Sequence, residues 1–103
     1  MTAGERKVLR AALVSIEKAG WTVTGVSDGE TVETTATIDA ALDVVDSVDD
    51  SRIKVTGSDG ARSWLQIVRG NAKDGSEIIA DHGVNLSEAL AGYYAMADAL
   101  AAR

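Results

Sequence analysis

The sequence predicts an α+β protein of two layers, an antiparallel sheet of about five strands with helices on one face, in the order α-β-β-α-β-β-β-α. Two observations predict it. Apolar residues recur at helical spacing in three stretches, near the start, the middle and the end of the chain. Between these lie short runs rich in β-branched and aromatic residues, several joined by Asp-Gly or Gly-Asn turn signals. Connections that short force neighbouring strands to pair antiparallel. At 103 residues the chain is expected to form one domain, residues 1–103.

Thr2-Ala3-Gly4-Glu5 has the form of a capping box, with Thr2 as N-cap and Glu5 reaching back to it. Val8, Leu9, Ala12, Leu13 and Ile16 follow at helical spacing, and Gly20 supplies a left-handed stop. This predicts an amphipathic helix over 3–19, whose polar face carries Arg6, Lys7, Arg10 and Lys18. Residues 21–26 read as a strand, Ser27-Asp28-Gly29-Glu30 as a tight turn, and 31–35 as a mostly polar return strand suited to a sheet edge. Ile38, Ala41, Leu42, Val45 and Val48 mark a second helix over roughly 38–49, with Thr37 as its N-cap.

Arg52 to Thr56 alternates as a strand, with Ile53 and Val55 inward. After the Gly57-Ser58-Asp59-Gly60 turn comes the longest candidate strand, 61–69, with Leu65 and Ile67 on one face and Trp64, Gln66 and Val68 on the other. Apolar groups on both faces suit an interior strand. A loop over 70–75 leads to a last strand over 76–81. The third helix is expected to be capped by Asn85, with Glu88 completing the box and Leu86, Leu90, Tyr93, Ala97 and Leu100 as its buried stripe.

The charge is unevenly distributed. Asp28, Glu30, Glu33, Asp39, Asp43, Asp46, Asp49 and Asp50 lie between Lys18 and Arg52 with no basic residue among them, in a chain of net charge −6. Asp39, Asp43, Asp46 and Asp50, at offsets of four, seven and eleven, fall within about 60° of one another on a helix. Asp is a poor helix former, and acids at a helix C-terminus oppose the macrodipole. Glu33, Asp39, Asp43, Asp46, Asp49 and Asp50 are therefore the candidate partner-binding residues, on the reasoning that local rules broken without compensation tend to mark functional surfaces. Trp64 and Tyr94 are candidate aromatic anchors.

The stretch from Gly20-Trp21 to Asp28-Gly29-Glu30, then Trp64 to Val68, Gly70-Asn71, Glu77-Ile78-Ile79 and Asp81, resembles a group of short proteins encoded in bacteriophages and prophages. The resemblance implies a phage or mobile-element origin and carries no activity with it.

Catalytic chemistry finds little to work with. There is no cysteine, and His82 is the one histidine. Its neighbour Asp81 would point to the opposite face of a strand. No cofactor or metal is expected, since the acids lack a loop to wrap oxygen ligands round a cation. The pI of 4.6 argues against direct nucleic-acid binding, and no apolar run is long enough to span a membrane. The sequence thus favours a non-enzymatic protein of the bacterial host cytoplasm. Its acidic stripe would bind a basic host protein or nucleic-acid-binding complex, as an anti-CRISPR-like inhibitor that mimics nucleic acid. Two alternatives stand beside it. One is a homodimeric assembly module joined by sheet edges or by the Ala91, Ala95, Ala99 and Ala102 face. The other is a small-ligand binder using the Trp64 face of the sheet.

Overall fold

The computed structural model describes residues 1–35 and 37–102. Its elements are α1 (Ala3–Lys18), β1 (Trp21–Ser27), β2 (Val32–Thr34), α2 (Ile38–Asp46), β3 (Asp50–Gly57), β4 (Arg62–Val68), β5 (Ile79–His82), a 3-10 turn (Val84–Leu86) and α3 (Ala91–Ala101). The five strands form one antiparallel sheet in the order β2-β1-β3-β4-β5, the α+β architecture expected. β1 and β2 form a hairpin. The chain then passes through α2, re-enters beside the other edge of β1 as β3, and runs on through β4 to β5.

Strand alternation decides which side of the sheet the helices cover. Val23, Val26, Ile53, Val55, Leu65, Ile67 and Ile79 are buried together with Leu9, Leu13 and Ile16 of α1 and Leu42 and Val45 of α2. Burying a side chain of this size contributes about 1.5–3 kcal/mol, so this single face supplies most of the drive to fold. Among the described residues no helix covers the opposite face of the sheet.

α1 begins as its sequence dictates. Thr2 Oγ1 accepts from the Glu5 amide, and Glu5 Oε1 accepts from the Thr2 amide. Glu5 does more than cap. It is buried, and its Oε2 accepts from the Gly70 amide at 2.7 Å, while Thr2 Oγ1 donates to the Lys73 carbonyl. The 70–75 loop therefore lies against the start of α1. Gly4 and Gly75 permit that approach. A Cβ on Gly4 would sit 2.6 Å from the Lys73 carbonyl oxygen, and Gly75 also has φ +88°.

Three expectations need correction. α2 ends at Asp46 and not near residue 49; Asp49 lies in the connecting turn and Asp50 opens β3. Ser47 stops the helix, its Oγ donating to the Val44 carbonyl. The last strand starts at Ile79 and not at Ser76, because the Ile78 amide donates to Gly75 in a turn. Asn85 does not cap the third helix. Its Nδ2 donates to the Arg62 carbonyl, which ties the 3-10 turn to the sheet, and α3 starts only at Ala91, with Leu90 before it and no side-chain cap. Leu86, Leu90, Tyr93 and Ala97 are nevertheless buried as expected. Tyr93 locks α3 to β5: its hydroxyl accepts from the Ile79 amide and donates to the Ser76 carbonyl.

Candidate functional site

The acidic residues of α2 meet cations. Arg6 Nη2 lies 2.9 Å from Asp43, Arg10 pairs with Asp39, and the Met1 amino group pairs with Asp46. That amino group holds the Asp46 carboxyl below the usual carboxylate range. Arg69 serves the helix end. Its Nε donates to the Val48 carbonyl, its Nη2 lies 3.1 Å from Asp49, and its Nη1 lies 4.0 Å from Asp46. The cation that favours a helix C-terminus is absent from α2 itself but arrives from the end of β4. Four of the six sequence-predicted partner residues (Asp39, Asp43, Asp46 and Asp49) are thus held in ion pairs.

Glu33 and Asp50 stand apart. Glu33 is exposed on the edge strand β2, in register with Val26 and so on the helix side of the sheet. Asp50 is exposed at the start of β3, in register with Val68 on the open face. The structure therefore does not join the six residues in one unpaired stripe. Among the described residues no group of three His, Asp or Glu side chains could hold a metal ion.

The aromatic candidates also separate. Tyr94 is partly exposed on α3, edge-on to Tyr93 at 5.0 Å between ring centres and 5.5 Å from the His82 ring. Burial, with Asp81 as a smaller cause, raises the Tyr94 phenol above its ordinary value. His82 Nδ1 lies 2.7 Å from its neighbour's carbonyl at Gly83, and Asp81 accepts from the His82 backbone amide, so the two side chains form no dyad. Trp64 lies on the open face of β4, in register with Lys54 of β3.

That open face is a second charged surface, which summing charge along the chain did not reveal. Along β3 the outward residues are Asp50, Arg52, Lys54 and Thr56; along β4 they are Arg62, Trp64, Gln66 and Val68. The register sets Arg52 beside Gln66, Lys54 beside Trp64 and Thr56 beside Arg62. The Arg52 guanidinium lies over the Trp64 ring, 4.2 Å from its centre, and its Nε donates to Gln66 Oε1 at 3.4 Å. Stacking of this kind holds the guanidinium flat against the sheet while leaving its charge available. Among the described residues Arg52, Lys54 and Arg62 enter no ion pair.

A groove of about 460 Å³ runs between these groups, lined by Thr24, Arg52, Lys54, Thr56, Arg62 and Trp64 with parts of Val55 and Ser63. Its wall on the β1 side is raised by a bulge. The pairing of β1 with β3 slips between Val23 and Gly25, and Thr24 Oγ1 donates to the Lys54 carbonyl. A shallow polar depression continues toward Asp28 and Asp50. Asp28 is bound up in its own turn. It accepts from the amides of Thr31 and Glu30, which together hold its carboxyl below the ordinary value.

The sequence signal for this site was present in strand alternation. With Ile53 and Val55 inward, Arg52 and Lys54 must point outward, and with Leu65 inward, Trp64 must join them. No protein-family model, curated protein or solved structure matches this chain. Among the described residues no helix is long and apolar enough to cross a membrane.

Proposed function

We propose that the protein is a binding module without catalytic chemistry of its own, and that it holds an anionic ligand on the open sheet face around Trp64. The observation that carries this reading is the trio Arg52, Lys54 and Arg62. These are three cations on one solvent-facing surface, none of them in an ion pair among the described residues, in a chain whose net charge is −6. Elsewhere among the described residues Arg6, Arg10 and Arg69 all reach carboxylates, while Lys7 and Lys18 of α1 and Lys73 of the 70–75 loop enter no ion pair but do not share a face with this trio. Leaving a cluster of cations unpaired amid excess acid breaks a local rule, and such breaks concentrate at functional surfaces. Trp64 adds a flat apolar surface beside them, and a few polar groups converging on an apolar wall are what ligand sites share.

The nucleic-acid-mimicking inhibitor is a weaker proposal on this geometry. It needs Asp39, Asp43 and Asp46 to be free for a basic partner, and each already has a cation. A partner would have to displace Arg6, Arg10 and the amino terminus to reach them.

A titration of isotope-labelled protein with inorganic polyphosphate, followed by amide NMR, tests the reading. Shifts are expected to concentrate at Thr24, Arg52, Lys54, Arg62 and the Trp64 indole. Shifts confined to α1 and α2, or none at all, would overturn it.

A further inference from the structure

The spacing of the cations narrows the ligand class. Arg52 and Lys54 are two residues apart on β3. Arg62 sits beside Thr56, one further two-residue step along the same direction and one strand across. Each step advances about 7 Å, so the backbone positions of the three cations follow a line of roughly 14 Å along the sheet. A compact anion can meet only one or two of them. A phosphodiester chain meets all three in succession, because its charges recur along an extended backbone at a comparable interval. Trp64 lies inside this line, directly beside Lys54, with the Arg52 guanidinium stacked on its ring. Aromatic and guanidinium planes beside a cationic track are how single-stranded nucleic acids are held without sequence preference. The neutral donors Thr24, Thr56 and Gln66 fill the gaps between the charges.

Asp50 and Asp28 close one end of the track with like charge, and Asp81, in register with Gln66, borders its β5 side. The footprint is therefore short, about three or four nucleotides.

We infer that the open sheet face binds single-stranded nucleic acid, with successive phosphates on Arg52, Lys54 and Arg62 and a base against the Arg52–Trp64 stack. The inference rests on the anionic-ligand reading above and adds the identity of the anion. The chain's overall negative charge does not forbid it, since salt screens charges more than about 8–10 Å away at ordinary ionic strength and leaves the local trio to act.

The test measures fluorescence anisotropy of a labelled oligothymidylate of about ten nucleotides, with inorganic polyphosphate as competitor and as a separate labelled ligand. Three phosphate contacts on a single strand predict a log–log salt slope of about −2, or roughly fifteen-fold weaker binding between about 50 and 200 mM salt. Trp64→Leu is expected to weaken oligothymidylate binding by about five-fold or more and polyphosphate binding by a clearly smaller factor, with Trp64→Phe restoring most of the loss; equal weakening of both would overturn the nucleic-acid inference. The combination Arg52→Gln, Lys54→Gln and Arg62→Gln is expected to abolish binding of both. Circular dichroism checks that each variant is folded.

If polyphosphate binds as well as oligothymidylate and Trp64→Leu affects neither, the nucleic-acid inference falls while the anionic-ligand reading survives. If neither ligand binds, both fall. Retained oligothymidylate binding in the triple variant overturns the assignment to this face. Concentration-dependent self-association that the triple variant abolishes, without oligothymidylate binding, would make the occupant the acidic surface of a second copy and also overturn the inference.

Discussion

Along the seam between α1 and α2, Arg6, Arg10 and the amino terminus each meet a carboxylate, whereas across the open sheet face Arg52, Lys54 and Arg62 meet none among the described residues. The seam's charges serve the fold: they hold two amphipathic helices in register over a shared apolar core. On the face, Arg52 rests on Trp64 and Gln66, and Lys54 and Arg62 have no ion-pair partner among the described residues. The difference teaches that charge density along a sequence is a poor guide to charge available at a surface. Half of the densest acidic stretch is paired, while the one cluster of cations without ion pairs among the described residues comes from strands that look unremarkable in composition. Substitutions that ought to behave differently in the two regions can sharpen or break this contrast.

The largest expected effect lies on the helix side, where a charge is used most completely. Glu5 is 2 % exposed and links the start of α1 to the Gly70 loop through hydrogen bonds at 2.9 and 2.7 Å. Glu5→Ala removes the acceptor for two backbone amides, those of Thr2 and Gly70, and with the first the reciprocal half of the capping box. The expected loss is about 2–4 kcal/mol in urea-unfolding experiments. Glu5→Gln keeps an oxygen for one amide and should recover part of it. A loss below about 0.5 kcal/mol for Glu5→Ala would mean that the 70–75 loop is not held by this carboxylate, and that the helix side uses its charges less tightly than the contrast requires.

A smaller effect is expected at the seam itself. Arg6→Gln with Arg10→Gln breaks two largely exposed pairs, each worth about 0.2–1 kcal/mol, so the double variant should lose about 1 kcal/mol. Salt screens such pairs. The gap between wild type and variant measured at low salt should therefore shrink at molar salt. An undiminished gap would show that the arginines act through packing of their aliphatic stems and not through charge.

Much of this architecture was legible in the sequence. Thr2 and Glu5 announced the start of α1, Thr37 that of α2, and alternation in Arg52–Thr56 gave the faces of β3. Short-range rules fix such features, because the residues involved lie within a few positions of one another. The ion pairs were not legible. Each joins residues at least twenty positions apart, and nothing local says that Arg69, at the end of β4, will cover the carbonyl end of α2. The same limit explains the third helix. Asn85 has the chemistry of a cap, but a tertiary partner, the Arg62 carbonyl, claims its side chain and delays the helix to Ala91. The open-face site lay between these cases. Each outward residue could be read from its strand, but their union into one cationic track depends on the β3–β4 register.

The smallest expected effect is the one that defines the contrast. Lys54→Gln with Arg62→Gln removes two cations that form no ion pair among the described residues and spares Arg52, whose stack on Trp64 is worth about 0.5–1 kcal/mol. Stability should change by no more than about 0.5 kcal/mol, the range of exposed positions without partners. The small gap from wild type should hold at both low and molar salt, unlike that of the seam variant. A clear loss of stability would mean that these side chains already support the fold through contacts with the sheet, so their lack of carboxylate partners would no longer argue for a ligand. Unchanged stability together with lost anion binding would separate the two regions completely, one set of charges serving the fold and the other serving only what binds.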